Sequence, residues 1–217
     1  MSTQATPQAS RRRLDPVRGG LILVIALGAV LRFHDLGARS LWYDEGASLR
    51  LAREVGAHGP LLDIEMNVEP PLNAVLTYVW HGIVRTLTGY PVISEPNDFL
   101  LRTMPCLLGI LAIGLVFMLA QTMLKDRWAA LIAAFLCAIS PFMVRYAQEL
   151  RIYSFYLVVS LLALWCLIKA LEEDRPAYWV GMVAALAVLM YSHFVTVWTI
   201  LVFNLYFLCM VWVYRRL

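Results

Sequence analysis

Charged residues are scarce in this chain of 217 residues: Asp, Glu, Lys and Arg together make up 15% of it, while 61% of the residues are hydrophobic. A soluble domain of this size does not need so large an apolar fraction to build its core. Much of the apolar surface is therefore expected to meet lipid. The composition excludes an ordinary soluble domain and predicts a multi-pass membrane protein.

Two classes of site are also missing. The formal net charge is only +3, and no basic patch is interleaved with aromatic residues, so no nucleic-acid partner is predicted. The cysteines lie in apolar stretches without a CxxC pair, at Cys106, Cys137, Cys166 and Cys209. They are interpreted as small apolar side chains, and neither a disulfide framework nor a zinc site is predicted.

Six apolar stretches are candidate membrane spans. The first follows three arginines and covers residues 16–36; it has no clear small-x-small cleavage site, so it is predicted to be an uncleaved signal-anchor. The others cover residues 100–124, 128–143, 152–170, 177–193 and 195–214. Residues 1–15 are predicted to be a disordered tail, and residues 16–217 a single membrane domain.

Residues 71–89 are also long enough to cross a bilayer, but the charge distribution argues against a span there. If only the six other stretches cross, the N-terminal side carries ten bases and five acids, a balance of +5, and the other side eight bases and ten acids, a balance of −2. This agrees with the positive-inside rule. We therefore expect a cytoplasmic N-terminus and a long outer loop over residues 37–99, in which 71–89 is a juxtamembrane helix. A seventh span is the alternative.

Ionisable side chains are almost absent from the predicted spans, whereas ion-coupled transporters and proton pumps carry them at the bilayer centre. They concentrate instead in the predicted outer segments, at Asp44, Glu45, Glu69, Arg145, Glu149, Arg151 and His193. A lipid-borne phosphate lies at this depth and needs cations, and an attacking hydroxyl needs a carboxylate base. The pattern favours chemistry on a lipid headgroup.

The acids of the first outer loop also have a purely structural interpretation. In "LWYDEGASLR", Asp44 would N-cap a short helix that starts at Glu45 and stops at Gly56. Glu69 precedes two prolines and would be an acidic cap of the next helix. Capping alone would explain both side chains without catalysis.

The turn "SPFMVRYAQELRIYS" concentrates polar and charged residues between two apolar stretches. If the turn is helical, Arg145 and Glu149 form an i,i+4 pair that stabilises the helix by only about 0.2–0.5 kcal/mol. Phosphate binding is the competing interpretation. His193 in "MYSHFV" would be either a polar interface residue or part of the same site.

Four motifs occur together and in a fixed order: "LRFHDLGARSLWYDEGASLRLA", "EPPLNAVLTYVW", "LRTMPCLLGILA" and "ISPFMVRYAQELRIYSFYLVVSLLAL". The set resembles the GT-C superfamily of integral-membrane glycosyltransferases. The nearest branch is the family 39, or protein-mannosyltransferase-like, group, which also resembles the aminoarabinose transferases of lipid A. The resemblance covers nearly the whole chain from about Gly20 onward. It implies an all-α membrane fold of about six transmembrane helices, with juxtamembrane helices in the first outer loop.

The resemblance also implies a reaction. A sugar, mannose by family frequency, would leave a polyprenyl- or dolichyl-phosphate donor at the outer membrane face, with inversion at its anomeric carbon, and join a lipid, glycan or protein acceptor. Asp44 matches the catalytic base, and Glu45 would orient the acceptor or help to hold a metal ion. No cofactor is implied for the whole family, since its members differ in their need for a divalent metal; Asp44, Glu45 and Glu69 are the candidate ligands.

The remaining family positions would bind donor phosphate or substrate. Arg151 would bind the phosphate in a bidentate manner. The full set of binding residues comprises Glu69, Arg145, Tyr146, Glu149, Arg151, Tyr153 and His193. The lysine that some members carry before the paired prolines is absent here, which argues against aminoarabinose as the sugar.

The length of the chain departs from the family, whose members have more spans, so a truncation at the C-terminus is expected. Two other functions compete with glycosyl transfer. A transporter or flippase for a polyprenyl-linked lipid would use the same charged cluster for binding only. A non-catalytic membrane scaffold would use the acids only as helix caps.

Overall fold

A computed structural model describes residues 15–59 and 70–214. The secondary structure of these residues is entirely helical, which confirms the prediction of an all-α membrane protein. In chain order the helices are α1 (Pro16–Phe33), α2 (Tyr43–His58), α3 (Leu72–Thr88), α4 (Asp98–Leu124), α5 (Arg127–Ile139), α6 (Pro141–Ala147), α7 (Tyr153–Glu173), α8 (Pro176–Met190) and α9 (Thr196–Tyr214).

Four of the helices in the described part of the chain are long and apolar enough to cross a bilayer, namely α1, α4, α7 and α9. They match four of the six predicted spans. The predicted span over residues 177–193 is represented by α8, which has 15 residues and ends at Met190. At 1.5 Å per residue it measures about 22 Å, less than a hydrocarbon core of about 30 Å.

The predicted span over residues 128–143 is divided between two helices, which together are long and apolar enough to cross a membrane. α5 ends at Ile139, and the axis bends by 59° into α6. Pro141 has no N–H for the helical ladder and occupies the first position of the new helix, where proline fits well. The Ser140 side chain accepts a hydrogen bond from the Met143 N–H at 3.5 Å and caps α6. The bend turns α6 toward the end of α1.

The first loop contains α2 and α3, which pack against each other. α3 is not among the helices that are long and apolar enough to cross a membrane. A juxtamembrane position for residues 71–89 stays a prediction. α2 was predicted to stop at Gly56. It continues instead to His58, and its C-cap is Gly59, whose φ is +89°. Gly56 instead allows close packing, because a Cβ there would lie 2.7 Å from the Tyr78 ring on α3.

α4 is the central helix and packs against α1, α5 and α7. Small residues let these helices approach closely. Along α5, Ala130, Ala134 and Ala138 are completely buried, and a Cβ at Gly28 of α1 would lie 2.3 Å from Ile113 Cδ1 of α4. This close packing holds the end of α1 against the junction between α5 and α6, where the polar residues of the chain converge.

Candidate active site

The paired acids of α2 have different surroundings. α2 begins at Tyr43 with Trp42 as its N-cap, so the helix starts two residues earlier than predicted and Asp44 is not the N-cap. Glu45 in the third position accepts a hydrogen bond from the Trp42 N–H at 3.2 Å and does the capping instead. This leaves the Asp44 carboxylate, which is 36% exposed, outside the cap.

Glu45 is completely buried and forms an ion pair with Arg102 of α4. Arg102 donates from Nε to Glu45 Oε1 at 2.8 Å and from Nη2 to Oε2 at 2.6 Å, which is the bidentate arrangement preferred by arginine and carboxylate. Oε1 also accepts a hydrogen bond from the Leu150 N–H at 2.7 Å. Four donors therefore occupy this carboxylate, and it links α2, α4 and the turn after α6.

Arg102 is a central residue of the site that the sequence analysis did not single out. Besides Glu45, its guanidinium donates to the carbonyl oxygens of Leu36, Arg39 and Ser40, at 3.2, 2.6 and 3.2 Å. These contacts tie the segment after α1 to α4. A signal existed in the sequence, because an arginine within a predicted span requires a partner, but the sequence does not tell which of the outer acids supplies it.

The turn after α6 is fastened to the end of α1. Gln148 donates from Nε2 to the carbonyl oxygens of Arg32 and His34, at 3.1 and 2.8 Å. Together with the Leu150 N–H on Glu45, this fixes the backbone on either side of Glu149. The predicted pair of Arg145 and Glu149 forms, with 3.3 Å between Nε and Oε1, while the Arg145 side chain stays 75% exposed.

Asp44 lies near Arg151, as the grouping of outer residues predicted. Arg151 Nη2 is 3.9 Å from Asp44 Oδ2, and the Arg151 side chain is 6% exposed. The distance exceeds that of a hydrogen bond, so the two charges attract each other without direct donation between these atoms. The Arg151 Cζ also lies 5.7 Å from the centre of the Tyr153 ring, which is within cation–π range.

Aromatic rings continue the site from α6 to the turn before α9. The rings of Tyr146 and Tyr153 meet edge to face with centroids 4.9 Å apart, and the Tyr153 ring lies 6.2 Å from that of His193. The His193 Nδ1 accepts a hydrogen bond from the Val195 N–H at 3.1 Å. His193 therefore both caps its own turn and adjoins the ring beside Arg151.

A cavity of about 990 Å³ lies between the end of α1, the start of α2 and α6. Five of the predicted site residues line it: Glu45, Arg145, Tyr146, Glu149 and Tyr153. Asp44, Arg151 and His193 do not line it; Arg151 and His193 adjoin it through Tyr153. Glu69 lies outside the described residues. The charged side chains of the lining comprise three acids and three arginines, namely Asp35, Glu45, Glu149, Arg39, Arg102 and Arg145.

Of the three candidate metal ligands, Asp44 and Glu45 belong to the described residues and Glu69 does not. Across residues 15–59 and 70–214, no group of three or more His, Cys, Asp or Glu side chains could hold a metal ion. Glu45 has both oxygens engaged with N–H donors, which is unsuitable for a ligand of a divalent cation. Metal binding by these candidate ligands stays a prediction.

Comparison with known proteins identifies the family. The model of the family described as dolichyl-phosphate-mannose-protein mannosyltransferase matches residues 87–217, more than half of the chain. This region contains Arg102, the turn after α6 and His193, while Asp44 and Glu45 precede it. Comparison with curated proteins and with solved structures gave no significant match. The chain is a multi-pass membrane protein of the dolichyl-phosphate-mannose-protein mannosyltransferase family, and thus a GT-C glycosyltransferase of the general type that uses a lipid-linked donor.

Proposed function

We propose that this protein transfers a sugar, with mannose as the first candidate, from a polyprenyl- or dolichyl-phosphate donor to an acceptor hydroxyl, with Asp44 as the base. One observation carries the proposal: a half-exposed carboxylate lies 3.9 Å from the buried cation of Arg151. A base and a phosphate ligand are thereby side by side. The family match supports glycosyl transfer in general, and the pair of charges supports this division of roles.

The proposed step is a single displacement. Asp44 accepts the proton of the acceptor hydroxyl as the hydroxyl oxygen forms a bond to the anomeric carbon. The bond from that carbon to the phosphate oxygen breaks, and the lipid phosphate leaves with the electron pair. The guanidinium of Arg151 stabilises the charge that develops on the leaving phosphate. Attack from the side opposite the leaving group inverts the anomeric centre.

Glu45 has a positioning role in this proposal. Its carboxylate is completely buried and accepts four hydrogen bonds, so a substrate would have to displace one of them to reach it. Through the Leu150 N–H, Glu45 fixes the residue next to Arg151. Through the Trp42 N–H, it fixes the start of α2 and so the direction of Asp44. Loss of Glu45 is therefore expected to misplace both charges.

The orientation in the membrane is part of the same proposal. The charge balance supports a cytoplasmic N-terminus, with the segment that contains α2 and α3 on the extracytoplasmic face. Asp44 and Arg151 would then meet the headgroup of a lipid in the outer leaflet. A cysteine accessibility experiment on α3 would test the orientation. Leu87 is 78% exposed, and a membrane-impermeant reagent added outside the cell is expected to label the Leu87→Cys variant at this position.

The direct test is sugar transfer in membranes that contain the protein at matched levels. Radiolabelled mannosyl phosphate on a polyprenyl carrier is the donor, and transfer is compared between the wild type, Asp44→Asn and Glu54→Gln. We expect Asp44→Asn to lower the rate by about 10²–10⁴-fold, the usual contribution of a general base. Glu54→Gln makes the same acid-to-amide change almost three turns further along α2, and is expected to keep the wild-type rate.

Two results would contradict the proposal. If Asp44→Asn retains the rate of Glu54→Gln, Asp44 is not the base. If labelled lipid moves between leaflets without a covalent product, the protein transports its lipid, as the flippase alternative requires.

A further inference from the structure

Arg32 is a buried cation that the proposed reaction does not use. It lies in the last turn of α1 with a side chain that is almost completely buried. Nη1 donates to the carbonyl oxygens of Gly28 and Ala138, at 3.1 and 3.0 Å, and Nη2 donates to that of Cys137 at 3.2 Å. These contacts cap the C-terminal end of α5. None of the ion pairs among residues 15–59 and 70–214 includes Arg32, so its charge has no carboxylate partner there.

One donor of the same guanidinium is unsatisfied. The buried Nε–H of Arg32 has no hydrogen-bond partner within the described part of the chain. It lies beside Gly109 of α4, where a Cβ would come within 3.2 Å of Nε. Arg32 and Gly109 also line a cavity of about 260 Å³. Its other walls are mainly apolar and aromatic and include Phe142, Met143 and Leu157.

The chemistry of the cavity indicates its ligand. A buried donor without an acceptor and a buried cation without an anion are both unfavourable, and an oxyanion relieves both. Phosphate oxygens are strong acceptors for a guanidinium. Apolar walls favour a phosphate that is carried by an apolar chain. The volume is slightly below the range of about 300–1,000 Å³ for small-molecule pockets, so the cavity suits the phosphate and its first carbon atoms.

We propose that this cavity is a second phosphate subsite, in which Arg32 Nε donates to an oxygen of a lipid phosphate monoester. The cavity shares Tyr146 and Tyr153 with the large cavity, and Tyr153 adjoins Arg151. Breaking the sugar–phosphate bond converts the donor diester into a monoester, which carries one more negative charge once its second proton is lost. A second cation beside the site would therefore hold the departing lipid phosphate. This product role rests on the proposed transfer reaction, whereas the binding itself does not.

The experiment measures binding without turnover. Isothermal titration of the purified full chain, in an uncharged detergent free of phosphate, compares three probes: geranyl phosphate, inorganic phosphate and geraniol. Arg32 itself is a poor target, because its substitution also removes the cap on α5. A methyl group at Gly109 would cover Nε but would lie 2.5 Å from Ala147 Cβ. The test variant is therefore Gly109→Ala combined with Ala147→Gly, which removes that clash.

Two variants serve as controls. Gly114→Ala makes the same change on α4 at a position with nothing within 4 Å, and Ala147→Gly alone reports on the second substitution. We expect geranyl phosphate to bind the wild type and both controls with affinities within twofold of one another, and the double variant at least tenfold more weakly. Geraniol is expected to bind at least tenfold more weakly than geranyl phosphate to the wild type.

Unchanged affinity of the double variant, or equal binding of geraniol and geranyl phosphate, would overturn the subsite. Inorganic phosphate that binds as tightly as geranyl phosphate would support an oxyanion site and overturn its assignment to a lipid. Because no sugar is present, failure of this experiment leaves the transfer reaction untouched. Failure of the transfer assay likewise leaves a measured affinity at Arg32 intact.

Discussion

The ion pair between Glu45 and Arg102 is expected to be the most sensitive single interaction of the site. Replacement of Glu45 by alanine would leave the Arg102 guanidinium buried, with only backbone carbonyls as acceptors. It would also remove the acceptor of the Leu150 N–H and the cap on the Trp42 N–H. The side chains of Glu45 and Arg102 are 0% and 6% exposed, so the pair is shielded from water in the intact protein.

The magnitude follows from this burial. Removal of one partner from a buried pair costs about 3–5 kcal/mol, because the other charge stays behind uncompensated. This range already contains the cost of the orphaned guanidinium, so the loss of the Leu150 and Trp42 contacts places Glu45→Ala toward its upper end. A lost helix cap alone would cost about 1 kcal/mol. The two explanations for Glu45, as a cap only or as a buried anchor, therefore differ by a measurable amount.

The assay is unfolding of the purified protein in mixed micelles by titration with dodecyl sulfate, followed by tryptophan fluorescence. Asp44→Asn is the matched control, since its carboxylate is partly exposed and its nearest cation is 3.9 Å away; a change of less than about 1 kcal/mol is expected. The double variant Glu45→Leu with Arg102→Met removes both charges at similar volume and is expected to be more stable than Glu45→Ala. If Glu45→Ala unfolds within about 1 kcal/mol of the wild type, the reasoning from buried charge is refuted.

Two further outcomes are expected. Gly59→Ala should destabilise the protein by about 1–3 kcal/mol, because φ is +89° and ψ is 176° there. Gly46→Ala, within α2 and with nothing within 4 Å of the new Cβ, should stabilise the protein by up to about 1 kcal/mol. Equal effects of the two substitutions in the same unfolding titration would contradict the assignment of the helix end. Burial lowers the pKa of His81 on α3 below its ordinary value of 6.5, and Arg85 lowers it further. The stability that neutral His81 contributes should therefore be lost as the pH falls below about 6.5. In a titration followed by NMR, Arg85→Gln should raise the pKa of His81 only partly. A return of the His81 pKa to its ordinary value would show that burial is not the main cause of the shift.

The membrane class and most helices could be predicted from the sequence because apolarity is a local property. The mean hydropathy of a window measures how apolar a stretch is, and it identifies α1, α4, α7 and α9. The same average hid the break at Ser140 and Pro141, since both flanking segments are apolar. Proline alone does not decide the matter, because Pro105 lies inside the continuous helix α4.

The partners within the site could not be predicted, since they depend on distant parts of the chain. Glu45 and Arg102 are 57 positions apart, and Glu45 and Leu150 are 105 positions apart. The sequence predicted that the outer charged residues lie together, and Asp44 and Arg151 do lie close together. It did not reveal the partners of Arg102 and Arg32, because each is a single arginine in an otherwise apolar stretch.

The position of the start of α2 separates the roles of its two acids. Successive residues of an α-helix point in directions about 100° apart, so adjacent carboxylates in the first turn cannot face the same surroundings. With Trp42 as the N-cap, the third helical residue turns inward to Arg102 and the second stays at the surface near Arg151. A start two residues later, as the sequence alone favoured, would have made Asp44 the cap. Substitution of Glu45 should therefore be measured first as a change in folding, and substitution of Asp44 as a change in chemistry.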